Sequence, residues 1–584
     1  MKNLEVVQIL NTIADILELQ NVQWKPQAYR KAARSIEALS EDIAEIAKRG
    51  ELRKIPGIGE AISEKIEEII KTGKLRYYEQ LKKDIKIDLE QLSSIPGLGP
   101  KKIKVLYEKL KIKNISDLEK AIRQKKLQKI EGFGEETEKK ILHGIELQKT
   151  KPKRFLYAQA APIVAEILTA LKKYSFVKKV EVAGSFRRGK ETVGDLDFLV
   201  VSSQPEKVME VFIKISDLAE VLAHGTTKSS IRLKNGLQID LRVVAEKEFG
   251  SAMNYFIGSK EHNVELRKLA LSKGYTLSEY GLFKLKKSKK ERKEEKTTEA
   301  VGKTWVAGRT EEEIYDKLKL QYIPPELREN TGEIAAAQKN ALPKLITKED
   351  ILGVFHNHST WSDGNNSLLE MAQEAERLGL QFISFNDHAG QIGITNPITA
   401  KRLAGYLKEI EQVKKKVKIK IFSGLEVDIL KDGSLALPKE LLKKIDVVIA
   451  SIHLAQGMAE AEMTTRVCHA LENYPVHILG HPTGRILNER EPIQLNFEKV
   501  FAMAKKRGVF LEINSSPGRM DLDGMQIKAA KEAGCKFALS TDGHDVHHLS
   551  GFVYGILSAR RGWLEKKDVL NCWEIKEIEK VVRR

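Results

Sequence analysis

Seven short apolar segments recur through residues 351–584, and stretches with helical spacing separate them. This alternation predicts parallel strands joined by crossover helices, an arrangement that closes into a barrel. Residues of the types that bind metals stand at the ends of the apolar segments: His356, His358, Asp363, His388, Glu426, His453, His481, Asp542 and His544. Because the C-terminal ends of barrel strands surround one mouth, we expect these nine side chains to converge there.

Nitrogen and oxygen ligands in one cluster favour a transition metal. A single histidine at a strand end is more often an ordinary hydrogen-bonded residue. Nine such positions along successive strands instead predict a metal centre. Mixed imidazole and carboxylate ligation suits Mn²⁺, Zn²⁺ or Fe²⁺ better than Mg²⁺, and the choice among the three stays open.

A second constellation occupies residues 184–197, where a Gly-Ser turn and two arginines precede Asp195 and Asp197. Alternate side chains of a strand share a face, so the two carboxylates are predicted to project together. They would raise each other's pKa unless a cation lies between them, and a hard divalent ion is the ordinary solution. Asp240, in the alternating segment 237–244, is a candidate third carboxylate. The alternative is a surface strand with solvated aspartates.

Residues 1 to about 150 have apolar positions at helical spacing, beginning with Val6, Leu10 and Ile13. A short phrase with two glycines recurs three times and resembles the helix-hairpin-helix motif, which binds DNA phosphates without reading sequence. Its glycines permit a tight turn and expose the first backbone N–H groups of the next helix to an anion. They are Gly57, Gly59, Gly97, Gly99, Gly132 and Gly134. One copy could be a plain helix–helix turn, whereas three copies in a lysine-rich segment predict DNA binding.

The net charge is +18 at neutral pH, of which +15 falls in residues 1–350 and +3 in the remainder. This asymmetry predicts a polyanionic partner for the first part of the chain. Histidine is distributed in the opposite way, with three of 13 before residue 351. The three cysteines are widely spaced, which argues against a disulfide framework or a thiolate zinc site. No apolar run approaches a membrane span, so we expect a cytoplasmic protein with no membrane partner.

The Gly-Ser turn, the Asp-x-Asp strand and the later lone aspartate resemble the palm of a family X DNA polymerase, in the nucleotidyltransferase superfamily. Residues 255–259 resemble the segment that this family places beside the sugar of the incoming nucleotide, and residues 323–328 resemble the end of the polymerase core. The resemblance implies that the nucleotide site comprises Gly184, Ser185, Arg188, Gly194, Tyr255, Phe256, Gly258, Asn263 and Arg267. Ser185 and Arg188 would bind the triphosphate. Asn263 would make a minor-groove contact, and Arg267 would contact the template strand.

The same resemblance implies a reaction and its partners. Asp195, Asp197 and Asp240 would be catalytic and would bind Mg²⁺ (or Mn²⁺) ions that activate the primer 3′-hydroxyl and stabilise the leaving pyrophosphate. The expected partners are gapped or nicked DNA, a primer-template and deoxynucleoside triphosphates, and the family implies a monomer. The expected function is short-gap filling in DNA repair, including base excision repair.

Lys65 lies where eukaryotic repair members of the family carry a Schiff-base lysine that excises 5′-deoxyribose phosphate. Such a lysine needs a lowered pKa to act as a nucleophile. The chain keeps Lys25 and Tyr29 of that pattern but has Trp24, Ala61 and Tyr77 where those relatives carry polar or basic groups. We interpret Lys65 as a solvated lysine on a DNA-binding helix, with lyase chemistry as the alternative.

The histidine-rich part resembles the polymerase and histidinol phosphatase (PHP) domain. The resemblance rests on His-Asn-His at residues 356–358, Thr-Asp-Gly-His at 541–544, and the segments 479–485 and 511–514. It implies a three-metal cluster bound by the nine residues at the strand ends. Joined to a family X polymerase, it also implies 3′-to-5′ exonuclease activity and 3′-end processing, with abasic sites as a further substrate. Arg485 would contact a phosphate oxygen.

The expected fold class is multidomain α+β and α/β. It comprises a helical helix-hairpin-helix N-terminal region, a nucleotidyltransferase-type palm with a thumb-like subdomain, and a C-terminal distorted (β/α)7 barrel. We predict a DNA-binding domain at 1–85, a fingers-like region at 86–150, a palm at 151–250, a nucleotide-selection or thumb-like subdomain at 251–328, a linker at 329–349 and a PHP domain at 350–584. Two alternatives stay open. One is a DNA-binding scaffold with vestigial sites, and the other is a polymerase whose PHP domain is a small-molecule phosphatase.

Overall fold

The computed structural model describes most of the chain. The described residues are 2–20, 22–37, 43–84, 87–93, 95, 98–130, 132–134, 137–138, 141–142, 145, 154–285, 303–390 and 395–582. Gly97 of the second predicted hairpin lies outside these residues. Within them, every helix is either too short or too polar to cross a bilayer.

The N-terminal region consists of helices, as predicted. They span Lys2–Leu19, Lys25–Glu37, Ile43–Lys48, Glu60–Thr72, Arg76–Asp84, Leu89–Ser93, Pro100–Leu110 and Ile115–Arg123, with short 3-10 turns at Leu52–Lys54 and Leu127–Lys129. One continuous apolar core joins them, and the first helix contributes Val6, Leu10 and Ile13 to it. The spacing of apolar residues therefore decides which face of each helix is buried.

A five-stranded mixed sheet follows the helices. Its strands in spatial order are Val177–Val182, Asp195–Ser202, Gln238–Val244, Lys228–Leu233 and Leu218–His224. Helices Tyr157–Lys172 and Pro205–Phe212 cover one face, and helix Phe249–Ile257 covers the other. Alternation along the second strand divides its side chains, because Phe198 packs against the pair of helices and Leu199 against the single helix.

A smaller antiparallel sheet comes next in the chain. Its strands are Tyr275–Ser278, Gly281–Leu285 and Lys303–Ala307. Helices Lys260–Ser272 and Glu311–Lys317 pack with it around one apolar core. The segment predicted as a linker contains the helix Glu333–Gln338, and its buried Ala337 belongs to the same core. That helix is therefore part of the packed subdomain that precedes the barrel.

The last part of the chain forms a closed barrel of parallel strands in sequence order, as the alternation predicts. The strands are Gly353–Asn357, Phe382–Ala389, Lys420–Asp428, Val447–Ser451, Ile478–Leu479, Phe510–Asn514 and Phe537–Gly543. The outer helices are Leu368–Arg377, Ala400–Lys414, Lys439–Leu442, Glu460–Asn473, Phe497–Arg507, Gly524–Glu532 and Phe552–Arg561. Phe355 and Phe422 pack in the interior with the C-terminal helix Ile575–Val582. That helix closes the end where the strands begin, since Glu579 pairs with Lys420 there.

The barrel packs directly on the parts that precede it. The Arg560 guanidinium, on its helix Phe552–Arg561, donates from Nε to Glu326 Oε1 at 2.7 Å. On the same helix, the ring of Tyr554 lies edge-on to Tyr157, with 6.1 Å between the centroids. Side chains of this barrel helix therefore contact a helix that covers the five-stranded sheet and the segment that follows the smaller sheet.

Candidate active sites

Three carboxylates meet at one end of the five-stranded sheet. Asp195 and Asp197 lie on strand Asp195–Ser202, and Asp240 lies on the adjacent parallel strand, in register with Asp197. Gly194 directly precedes the first acid. Asp195 is exposed, whereas Asp197 and Asp240 are half-buried. Strand alternation places the first two acids on one face, and parallel pairing adds the third.

Crowding raises the pKa of two of these acids. Burial, followed by the charges of Asp195 and Asp240, raises the pKa of Asp197 to about 7, although Arg242 and Arg188 oppose the shift. Burial and then the charge of Asp240 raise the pKa of Asp195. The carboxylates therefore repel one another as the sequence predicts, and a divalent cation would relieve that repulsion.

A glycine turn lies directly against Asp197. Gly184 has a φ of 64°, and a Cβ at this position would come within 2.7 Å of Asp197 Oδ2. The Ala183 N–H donates to the Asp197 carbonyl at 2.8 Å. Only glycine accommodates both the left-handed backbone and this close approach. Ser185 follows in the short helix Gly184–Arg187, which the turn holds beside the acids.

Arg188 is held by one side chain and one backbone acceptor. Its Nε donates to Glu329 Oε1 at 2.9 Å, and its Nη1 donates to the Ile257 carbonyl. Gly258 has a φ of 72°, and a Cβ there would stand 3.2 Å from Arg188 Nη1. Sequence reasoning missed Glu329. Burial acts to raise its pKa, but the charges of Arg188 and two further cations lower it below its ordinary value.

The other predicted nucleotide contacts gather at the end of helix Phe249–Ile257 and in the helix after it. The Tyr255 side chain is exposed, and the Phe256 ring lies 4.9 Å from the Arg242 guanidinium. Asn263 Nδ2 donates to the Tyr255 carbonyl at 2.7 Å. Arg267 Nε donates in turn to the Asn263 carbonyl at 3.2 Å. These residues therefore form a continuous series of contacts beside Arg188.

The nine predicted metal-type residues of the barrel lie at the C-terminal ends of its strands or in the loops that follow. His356, His481 and Asp542 have φ values of 61°, 23° and 49°. Non-glycine residues seldom adopt this left-handed region. Strain of this kind clusters at functional sites, where the surrounding structure imposes it.

The ligand atoms fall into three groups, and the atoms of each group lie within 4.8 Å of one another. The groups are His358 with Asp363, His388 and His544; His356 with His358 and Asp542; and His388 with Glu426 and His453. His358 and His388 each belong to two groups. His481 joins the cluster through Nε2, which lies 2.9 Å from Glu426 Oε1. Among the residues that the structure describes, groups of ligand atoms this close together occur only in the barrel. The carboxylate atoms of the five-stranded sheet are spaced more widely.

Several atoms of the cluster are buried without a hydrogen-bond partner. They are His356 Nε2, both ring nitrogens of His358, Asp363 Oδ1, Glu426 Oε2 and His481 Nδ1. Each unsatisfied buried polar atom costs roughly 1–3 kcal/mol. Metal ions accept imidazole and carboxylate lone pairs together, so this donor set fits a metal cluster.

The charges within the cluster shift its histidines in opposite directions. Burial, followed by the charges of His544 and His388, lowers the pKa of His358 to about 3. Burial also acts to lower the pKa of His453, but the Glu426 carboxylate raises it to about 10. A neutral imidazole is the form that binds a metal, and His358 is held in that form.

Buried acids behind the ligands fix their orientation. Glu512 Oε1 lies 2.5 Å from His356 Nδ1, and the same side chain accepts the backbone N–H of His481. Asp428 Oδ1 lies 2.7 Å from His453 Nδ1. Sequence reasoning assigned neither acid a role. Alternation could have found both, because Asp428 shares a strand face with Glu426 and Glu512 interrupts an apolar strand.

Two arginines lie together in loops at this end of the barrel. Arg485 Nε donates to the Arg519 carbonyl at 2.9 Å, and its Nη2 donates to the Met520 carbonyl. Arg519 directs its own Nε toward Asp542 Oδ2, 3.4 Å away. The predicted phosphate contact Arg485 is therefore engaged by backbone carbonyls, and Arg519, which was not predicted, contacts a cluster ligand directly.

The described hairpin glycines are all exposed at turns. Gly57 and Gly132 have φ values of 82° and 85°. Gly59 and Gly99 stand at the N-caps of the helices that follow them. Gly134 is exposed as well, while the apolar residues between the glycines are buried. In the first two hairpins, Gly59 and Gly99 thus place backbone N–H groups at helix N-termini, where an anion is favoured.

Lys65 lies on helix Glu60–Thr72 of the first hairpin. Its Nζ donates to the Ala61 carbonyl at 3.0 Å and lies 5.1 Å from the centroid of the Tyr77 ring. The Lys65 side chain therefore has one carbonyl acceptor and lies near one aromatic ring.

The two sites define the class of protein. Carboxylates on adjacent strands beside a glycine turn and an arginine are the arrangement expected of a nucleotidyltransferase centre. Histidine and carboxylate side chains around a barrel mouth are the arrangement expected of a metal-dependent phosphoesterase. The chain is a nucleotidyltransferase joined to a phosphoesterase barrel.

Comparison with known families assigns each part. Matches occur to a helix-hairpin-helix domain at residues 1–75, a SAM-like helix-hairpin-helix tandem at 89–148, a DNA polymerase beta palm at 157–251, a DNA polymerase beta thumb at 252–329 and a PHP domain at 355–516. Together they cover the helices, the two sheets and most of the barrel.

Individual relatives agree with this assignment. The chain is 34% identical to the DNA polymerase/3′-5′ exonuclease PolX of Bacillus subtilis over 588 residues, with 100% of each chain covered. It is 32% identical to a probable phosphatase of Thermoanaerobacter sp. over 244 residues, 39% of this chain and 94% of the relative. It is 25% identical to DNA polymerase lambda of Rattus norvegicus over 298 residues, 48% of this chain and 49% of the relative. The chain belongs to the family X DNA polymerases that carry a PHP domain.

Proposed function

We propose that this protein is a DNA-directed DNA polymerase that fills short gaps during DNA repair, and that its PHP barrel hydrolyses phosphodiesters at DNA 3′ ends. One observation carries the proposal. A carboxylate centre beside a glycine turn and a cluster of buried metal-type ligands occur in one chain. The exposed hairpin glycines and the excess positive charge of the first part of the chain support DNA as the common substrate.

In the palm, the residues of the chain bind and orient the substrates. Mg²⁺ or Mn²⁺ ions held by Asp195, Asp197 and Asp240 supply neutralisation of the triphosphate charge and activation of the primer 3′-hydroxyl. Asp240 would accept the hydroxyl proton, and its register with Asp197 on the adjacent strand supports this role. Ser185 and Arg188 bind the triphosphate, and Arg188 does so with a rigid, permanently charged group. The Tyr255 and Phe256 rings pack against the sugar, where a 2′-hydroxyl would clash.

In the barrel, the nine residues would hold Mn²⁺, Zn²⁺ or Fe²⁺ ions, and the three groups of ligand atoms support a cluster of three. When bound there, such ions would supply activation of a water molecule and stabilisation of the phosphate charge. Glu512 and Asp428 hold the imidazoles of His356 and His453 in the required orientation. Arg519 is the arginine best placed to bind a phosphate oxygen, and Arg485 supports the loop that carries it.

We extend the proposal to the organisation of the chain. Its functional units are taken to be residues 1–85, 86–150, 151–250, 251–328 and 350–584, and residues 329–349 connect the last two. The protein is taken to act as a monomer. Analytical ultracentrifugation tests the second point, and a concentration-dependent dimer would contradict it.

A primer-extension assay on DNA with a one-nucleotide gap tests both activities together. With Mg²⁺ or Mn²⁺ and nucleotides, the labelled primer is expected to lengthen. Without nucleotides it is expected to shorten from its 3′ end. A primer that stays unchanged under both conditions would refute the proposal for both sites.

The 32% identity to a probable phosphatase favours a second candidate for the barrel, the hydrolysis of small phosphate esters. The two candidates differ in substrate size. If the chain hydrolyses p-nitrophenyl phosphate rapidly and leaves a radiolabelled primer intact, the small-molecule activity is correct. We expect the reverse order of rates.

Mg²⁺ binding by the palm is expected to weaken about tenfold between pH 8 and pH 6. The pKa of Asp197 is about 7, so most of this carboxyl is ionised at the higher pH and most is protonated at the lower. At pH 6 a Mg²⁺ ion must therefore displace the proton of Asp197 in order to bind. Calorimetric titration with Mg²⁺ at both values measures the change, and the Asp197→Asn variant supplies the baseline. If the wild type and Asp197→Asn differed in Mg²⁺ affinity by the same factor at pH 8 and at pH 6, the prediction would be contradicted.

For Lys65 we propose the role of a DNA-contacting cation rather than a lyase nucleophile. Borohydride treatment with DNA that carries a 5′-deoxyribose phosphate is expected to trap no covalent adduct, because the ammonium has a carbonyl partner and no neighbouring base in the contacts described. An adduct that disappears in Lys65→Ala would establish the lyase instead.

A further inference from the structure

One helix of the PHP barrel touches the nucleotide side of the palm. Leu557, on helix Phe552–Arg561, lies so close to Gly189 that a Cβ there would stand 3.1 Å from Leu557 Cδ2. Gly189 has a φ of 65° and follows Arg188 directly. The barrel therefore supports the turn that presents Arg188.

The last residue of this helix enters the same site. Arg561 Nη1 donates to Glu329 Oε1 at 3.2 Å and lies 3.5 Å from the Arg188 carbonyl. Arg561 Nε lies 3.8 Å from Glu191 Oε1. Only 8% of Arg561 is exposed, so its charge acts where water screens it weakly.

Glu329 is shared among three cations. Arg188 Nε lies 2.9 Å and Arg561 Nη1 3.2 Å from its Oε1, while Lys190 Nζ lies 3.5 Å from its Oε2. A carboxylate that interacts with Arg188 alone would neutralise that guanidinium. Because Glu329 is instead shared among three cations, the turn that carries Arg188 keeps a net positive charge.

We propose that Arg561 of the PHP barrel is a positioning residue of the polymerase site: by sharing Glu329 with Arg188, it keeps Arg188 available to the nucleotide triphosphate. This inference rests on the proposed polymerase function. Loss of the Arg561 charge would leave Glu329 paired more fully with Arg188. A triphosphate would then compete with a stronger internal ion pair, and nucleotide binding would weaken.

The helix also offers a matched control. Arg560 is the neighbouring residue and also links the barrel to the preceding part of the chain, but through Glu326 Oε1 at 2.7 Å and the Ile346 carbonyl at 2.8 Å. Methionine suits both positions because it keeps an unbranched stem. The stem matters at Arg561 because it packs along Gly524, where a Cβ would lie 2.6 Å from Arg561 Cβ and 3.3 Å from Arg561 Nε.

Single-nucleotide gap filling by the full chain tests the inference. Arg561→Met is expected to raise KM for the nucleotide roughly five- to tenfold with kcat within about twofold, and Arg560→Met to leave KM unchanged. Arg561→Lys, which keeps the charge, is expected to restore most of the affinity. Glu329→Gln added to Arg561→Met is also expected to lower KM again, because it removes the competing carboxylate. A purely structural role would not produce this rescue.

The outcomes separate the inference from the function on which it rests. If the wild-type chain incorporates no nucleotide, the polymerase proposal itself fails. If the wild type is active and Arg561→Met has an unchanged KM, or the added Glu329→Gln raises KM further, the inference is overturned. If Arg561→Met does not fold, as judged by thermal unfolding, the Arg561→Lys and Glu329→Gln variants decide. In that case the inference requires Arg561→Lys to keep the wild-type KM for the nucleotide. It also requires that Glu329→Gln does not raise this KM, and a rise in either variant would overturn it.

Discussion

Asp197→Asn is expected to abolish nucleotide incorporation while the shortening of DNA 3′ ends continues. The substitution keeps the size of the side chain but removes a charge from the centre of the carboxylate group, between Asp195 and Asp240. A site that binds divalent cations through these acids loses its central ligand. We expect a loss on the order of 10³-fold or more in kcat/KM, equivalent to about 4 kcal/mol of transition-state stabilisation.

Steady-state incorporation on gapped DNA measures the loss, and the same preparation without nucleotides measures 3′-end shortening. Asp316→Asn is the matched control, because this aspartate is exposed on a helix beside the smaller sheet. It is expected to behave as the wild type in both assays. Incorporation by Asp197→Asn within tenfold of the wild-type rate would contradict the assignment of the palm.

His358→Ala is expected to produce the opposite pattern, in which incorporation persists and 3′-end shortening is lost. His358 is fully buried and belongs to two of the three ligand groups, so its removal damages two binding positions at once. The loss should exceed roughly 100-fold, the upper cost of removing a residue that only supports a ligand. The metal content of the purified protein should fall as well.

Elemental analysis and a radiolabelled primer provide the two readouts. His469→Ala is the control, since this histidine lies on an outer helix of the same barrel and is exposed. It is expected to change neither metal content nor shortening. Full shortening by His358→Ala would show that the cluster is not the nuclease centre.

Much of the fold follows from local patterns. The barrel follows from apolar segments with polar ends, and the order of its strands is the order of the sequence. The carboxylates at residues 195 and 197 follow from strand alternation, which needs only neighbouring residues. By contrast, the strand Leu218–His224 was not predicted, because it lies at a sheet edge and most of its side chains are exposed.

The parts of the sites that sequence reasoning missed depend on distant contacts. Glu329 became relevant only when the fold brought it to Arg188, 141 positions earlier in the chain. Arg561 is farther still, and its partners lie in a different domain. Glu512 interrupts an apolar strand and so stands out by alternation, but its role depends on His356, which lies 156 positions earlier in the chain. Local periodicity carries no information about such pairs.

The contact between helix Phe552–Arg561 and the turn at Gly189 forms late in the synthesis of the chain. The palm leaves the ribosome long before the end of the chain is made, and at that stage the turn at Gly189 lacks the surface that later covers it. The side of the palm that carries this turn is therefore completed only after residues 552–561 have been translated. A truncated translation product would therefore possess the catalytic acids without the finished nucleotide site.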